Sequence, residues 1–92
     1  MNILIIGLGN IGFAHLKSFF LSKQKYTIDL YDKKKIKFDK FSKIDVTKKN
    51  INILKKLPKN KNYKLVIIAT SSLERFNLLK ETIKKNKVRY FI

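Results

Sequence analysis

Two apolar runs divide the chain. Asn2-Ile3-Leu4-Ile5-Ile6 and Tyr63-Lys64-Leu65-Val66-Ile67-Ile68-Ala69 are nearly continuous rather than alternating, as in central parallel strands buried on both faces. Between them Tyr26-Thr27-Ile28-Asp29-Leu30-Tyr31 alternates and is rich in strand-forming residues, which predicts a second strand. Ile11, Ala14, His15, Ser18 and Phe19 recur at helical spacing and predict a helix over 11–22. A further helix is predicted to run to about residue 85, with Ser71 and Glu74 at capping-box spacing. Phe76, Leu79 and Ile83 are expected on its inner face, and Asn86 suits the left-handed residue after a helix. Residues 88–92 read as the start of a fifth strand.

The segment 33–50 has a weaker pattern. Ile36, Phe38, Phe41 and Ile44 are apolar anchors among lysines, consistent with an irregular helix or loop and a brief strand near 42–45. Asp45 or Thr47 is then placed to cap a helix over 48–57, with Ile51, Leu54 and Leu57 turned inward. Pro58 and Lys59-Asn60-Lys61-Asn62 end that helix in a surface loop.

Strands alternating with helices predict an α/β domain with a parallel sheet. Its organising feature is Gly7-Leu8-Gly9-Asn10-Ile11-Gly12, set between the first strand and the first helix. The three glycines serve different physical ends. Gly7 permits a tight turn, Gly9 lets a pyrophosphate approach bare backbone, and Gly12 allows close helix–strand packing. Free N–H groups at the start of that helix carry partial positive charge, so Asn10 and Ile11 join the three glycines as candidate phosphate contacts. Asp32 ends the second strand, where a carboxylate can accept hydrogen bonds from both ribose hydroxyls of an adenosine. Such a carboxylate repels a 2′-phosphate, which favours NAD over NADP, although Lys33-Lys34-Lys35 follows as a potential counter-charge. Thr70 and Ser71 close the strand that neighbours the first one, and so border the same crevice. The expected fold is a Rossmann-like, doubly wound parallel sheet of about five strands in the order 3-2-1-4-5, with residues 1–92 forming one dinucleotide-binding domain.

Composition narrows the function without adding to the site. Ninety-two residues suffice for one domain with a modest core. No apolar run reaches the length of a transmembrane helix, and the apolar start has no basic leader, so no membrane association is expected and the cytoplasm is the simplest compartment. Without cysteine there is no disulfide framework or thiolate metal site. The single histidine and six scattered carboxylates show no metal-ligand spacing. The net charge of +16 invites a nucleic-acid reading. It comes, however, from twenty Lys and only Arg75 and Arg89, in a chain that also holds thirteen Ile and eight Asn. That bias fits A/T-rich codons and solvated faces better than base recognition, which favours arginine. No specific nucleic-acid partner is expected. His15 falls one turn after Ile11 on a packed helix and is read as a packing residue. No catalytic residue is nominated.

Taken together, Ile5-Ile6-Gly7-Leu8-Gly9-Asn10-Ile11-Gly12 with His15, Asp32, and Val66-Ile67-Ile68-Ala69-Thr70 resemble the N-terminal domain of the Gfo/Idh/MocA oxidoreductases. The likeness spans essentially the whole chain. It implies a Thr70 near the nicotinamide side of a cofactor, and a strand over 88–92 that leads into a Glu-Lys-Pro motif carrying the family's catalytic lysine. It also implies a second, open-sheet domain that supplies substrate contacts and often a dimer interface. Ser71 stands where the family usually has proline, and Arg75 where it often has histidine. The resemblance thus implies the cofactor domain of a longer, cytoplasmic oxidoreductase acting on a sugar, sugar nucleotide or polyol. The 92 residues alone are expected to bind dinucleotide weakly and to catalyse nothing. The alternative is a non-enzymatic, nucleotide-sensing module that uses the same loop.

Overall fold

The computed structural model describes residues 2–21, 26–33, 50–70 and 72–92. Among these residues, five strands and two helices follow one another as β1 (Asn2–Ile6), α1 (Asn10–Leu21), β2 (Thr27–Tyr31), β3 (Ile51–Ile53), β4 (Asn62–Ile68), α2 (Ser72–Lys85) and β5 (Lys87–Phe91). All five strands join one sheet in the order β3-β2-β1-β4-β5, and every pairing is parallel. The expected doubly wound order is therefore present.

The apolar run of β1 explains its central place. Ile3 and Ile5 point to one face and Leu4 and Ile6 to the other, all four with at most 1% of their surface exposed. On the first face Ile3, Ile5, Ile28, Leu30, Ile51 and Ile67 pack with Leu8 and Leu16 of the loop and α1. On the second, Leu4, Ile6, Tyr63, Val66 and Ile68 pack with Leu78 and Leu79 of α2 and with Leu54, Leu57 and Val88. Leu16 is the fully buried anchor of α1. Leu16→Ala is expected to destabilise the chain by about 2–5 kcal/mol, measured by urea unfolding.

Several expectations are corrected. The helix predicted over 48–57 is overturned, because residues 51–53 form β3, along the outer edge of β2. Ile28 N–H donates to Asn50 O at 2.7 Å and Leu54 N–H to Leu30 O at 2.8 Å, satisfying backbone groups that β2 would otherwise leave unpaired. Ile51, Leu54 and Leu57 do turn inward, but from a short strand and the bend that follows it, and onto different faces of the sheet: Ile51 joins the α1 side, the two leucines the α2 side. The irregular helix or loop and the strand expected within 34–49 lie outside the described residues. Among the described side chains of α1, Gly12 and Leu16 are buried, whereas Ile11, Ala14 and Ser18 are exposed. On α2, Leu79 packs inward as expected, but Phe76 is 69% and Ile83 42% exposed; Leu78, Thr82 and Asn86 take their place. Asn86 ends α2 through its side chain rather than a left-handed backbone. Its Nδ2 donates to Thr82 O and Pro58 O, and its Oδ1 accepts from Lys61 N–H. Among the described non-glycine residues, positive φ occurs at Asn60, at 59°.

One buried polar cluster fixes the β2–β3 edge. Asp29 is 8% exposed, and its carboxylate accepts from the Tyr63 hydroxyl at 2.5 Å and from Asn52 Nδ2 at 3.2 Å. Burial, followed by the hydrogen bond to Asp29 and its charge, pushes the Tyr63 phenol well above its ordinary value of 10.0. The neutral phenol is the form the fold prefers. This contribution to stability is complete below pH 10 and is lost as pH climbs from there through the raised folded value. Tyr63→Phe is expected to cost about 1–3 kcal/mol at neutral pH, because it removes a donor from a buried carboxylate. Unfolding curves at pH 7 and above pH 10 should show the penalty shrinking at the higher pH.

Candidate functional site

The carboxyl ends of β1, β2 and β4 open into a cleft of about 910 Å³. Ile6, Gly7 and Gly9 form its floor, Tyr31, Asp32 and Lys33 one wall, and Ala69, Thr70, Glu74, Asn77 and Leu78 the other. A smaller concavity of about 440 Å³, lined by Lys64, Lys87 and Arg89 among others, lies at the opposite, amino ends of the strands.

The glycine loop is stitched to both neighbouring strands. Gly7 N–H donates to Tyr31 O at 2.8 Å, and Ala69 N–H donates to Ile6 O at 2.8 Å. Gly7 has φ of +93°, and a Cβ there would lie 2.8 Å from Ala69 O, so both the turn and the packing require glycine. A Cβ on Gly12 would lie 1.8 Å from Gly7 O, because α1 seats directly on the turn. Gly9 differs from both: a Cβ there would meet nothing within 4 Å. Its bare backbone faces open cleft, the cradle that a diphosphate needs.

Asp32 is tied to the loop itself. Its Oδ2 accepts the Leu8 N–H at 2.8 Å, while the Leu8 side chain is buried in the α1-side core. The carboxylate thus fixes the loop's path as well as lining the cleft. Thr70 borders the cleft with its hydroxyl oxygen buried and without a protein hydrogen-bond partner, and its carbonyl accepts from Arg75 Nη2 at 3.2 Å. An unsatisfied buried hydroxyl at a cleft wall fits a polar ligand group.

The structure therefore brings Gly7, Gly9, Asp32 and Thr70 together, with Gly12 directly beneath. Asn10 begins α1, one residue after Gly9. Ile11 is 65% exposed and does not line the cleft, and His15 is half-buried in α1, also away from it. Ser71 lies outside the described residues. Sequence reading offers Lys33 only as a potential counter-charge and Glu74 only as a capping partner, and it misses Glu74, Asn77 and Leu78 as walls. The last three recur at i, i+3 and i+4, so the helical period of α2 held a usable signal.

These features define a doubly wound α/β domain whose glycine turn opens a cleft at the point where the strand order reverses, the place where such sheets bind ligands. A family model described as "Oxidoreductase family, NAD-binding Rossmann fold" matches residues 1–92. The chain belongs to that Gfo/Idh/MocA family. Comparison with curated proteins and with solved structures finds no match. Among the described residues, no helix is long and apolar enough to cross a membrane.

Proposed function

We propose that residues 1–92 form the cofactor domain of an oxidoreductase that moves a hydride between NAD and a sugar, sugar-nucleotide or polyol substrate. Gly7, Gly9 and the start of α1 at Asn10 would hold the diphosphate, with Gly12 keeping α1 close. Asp32 would accept hydrogen bonds from the adenosine ribose. Thr70 and Ser71 would border the nicotinamide half. The observation that carries this reading is Gly9, where bare backbone faces the cleft beside the Asp32 carboxylate.

When bound, the nicotinamide supplies the hydride acceptor or donor. The chain's own residues bind and orient it. Substrate contacts and the proton acceptor are expected from a second domain of the family's kind. NAD is favoured over NADP because Asp32 would repel a 2′-phosphate.

Calorimetric titration of NAD and NADP into the wild type and Asp32→Ala tests the assignment. Asp32 also holds the Leu8 N–H, so loosening the loop weakens both cofactors. The ribose contact predicts a further loss for NAD alone, about tenfold, as expected for hydrogen bonds to a charged group. A variant that loses NADP more than NAD would undo the preference.

A further inference from the structure

Lys33 follows Asp32 directly and is the described cation on that wall of the cleft. Its ammonium does not stand alone: Lys33 Nζ lies 3.6 Å from Glu74 Oε1, which reaches it from the first turn of α2 on the opposite wall. The pair bridges the two walls beside Asp32. Among the described residues, the mouth of the cleft therefore carries two carboxylates and one ammonium, and the second carboxylate pairs with the cation. We propose that Glu74 is a positioning residue for cofactor choice: it holds Lys33 away from a ribose 2′-phosphate and adds negative charge where that phosphate would stand. This inference rests on the reading of the cleft as a dinucleotide site, but it assigns a role to a residue of α2 that the glycine loop and Asp32 do not involve.

The physical basis is competition for one cation. Lys33 and Glu74 are largely open to water, so their attraction is modest and the ammonium exchanges partners readily. A 2′-phosphate carries about two negative charges near neutral pH and would otherwise draw Lys33 to it, as lysine does toward phosphates generally. With Glu74 present, that gain must first displace a carboxylate and then tolerate its repulsion. Without it, Lys33 is available as a counter-charge, and Asp32 is the single opposing group on the described walls. Cofactor preference thus depends on a residue forty-two positions downstream of the second-strand acid, set across the cleft by the α2 fold.

The test compares dissociation constants for NAD and NADP in the wild type, Glu74→Gln, Lys33→Gln and the double variant, by calorimetry at low salt. Glu74→Gln is expected to shift the NADP-to-NAD ratio about three- to fivefold toward NADP, and the shift should shrink as salt screens the charges. The double variant should lose that gain, because it has no freed ammonium. A helix-packing role for Glu74 would move both constants together and leave the ratio unchanged. An unchanged ratio in Glu74→Gln, or an equal gain in the double variant, overturns the proposal while leaving the cleft assignment intact. Failure of the wild type to bind either dinucleotide would instead overturn the cleft assignment, and this inference with it.

Discussion

Replacing Gly12 by alanine is expected to destabilise the chain by about 3 kcal/mol or more, lowering its thermal midpoint by roughly 15 °C. The single added methyl would stand 1.8 Å from the Gly7 carbonyl oxygen and 2.9 Å from its carbon. No rotamer change relieves that overlap, because both groups are backbone or rigidly attached to it. Either α1 lifts from β1 or the Gly7 turn moves. Lifting α1 draws Leu16 out of the core, and moving the turn breaks the bonds that Gly7 and Ala69 make to β2 and β1. Each response costs packing or hydrogen bonds in a domain whose total stability is expected to be only about 5–15 kcal/mol. Thermal and urea unfolding of Gly12→Ala provide the measurement. A midpoint close to that of the wild type would show that the helix is not seated as described.

Gly9→Val is expected to do the opposite: leave stability within about 1 kcal/mol and weaken NAD binding about a hundredfold or more. Gly9 is exposed, its backbone is not left-handed, and its missing Cβ has no neighbour within 4 Å. The protein therefore has no folding reason to require glycine there. The cleft supplies one: a branched side chain fills the space a diphosphate needs and cannot rotate out of the way. Comparing the two variants separates folding from binding within one short glycine loop. Equal NAD affinity in wild type and Gly9→Val, both folded, would remove the diphosphate from this loop.

The parts of this fold that are legible in the sequence are those written in local pattern. The apolar runs of β1 and β4, the alternation of β2 and the glycine spacing lead to the correct strand order, and Asp32 does stand at the cleft. β3 is not legible, because a three-residue edge strand is decided by its partner. Ile51, Leu54 and Leu57 satisfy a helical count, and only the unpaired outer edge of β2, together with the Asp29–Asn52 hydrogen bond, selects extended chain. The inner face of α2 escapes the pattern for a related reason. Apolar Phe76 and Ile83 are expected inside, yet Thr82 and Asn86 are buried, and the Asn86 amide ties the helix end to 58–61. Asn86 is held inside by specific partners distant in sequence, Pro58 O and Lys61 N–H. The site shows the same division: the loop glycines are readable, whereas Lys33 and Glu74 become one feature only when β2 and α2 face each other across the cleft.

The most direct test of the cofactor cleft is to titrate NAD into isotope-labelled protein and map the perturbed backbone amide signals. Saturable shifts are expected, concentrated at Leu8, Gly9, Asp32 and Thr70, at the carboxyl ends of β1, β2 and β4. Shifts centred instead on Lys64, Lys87 and Arg89 at the amino ends of the strands, or no saturable shifts at all, would contradict the assignment.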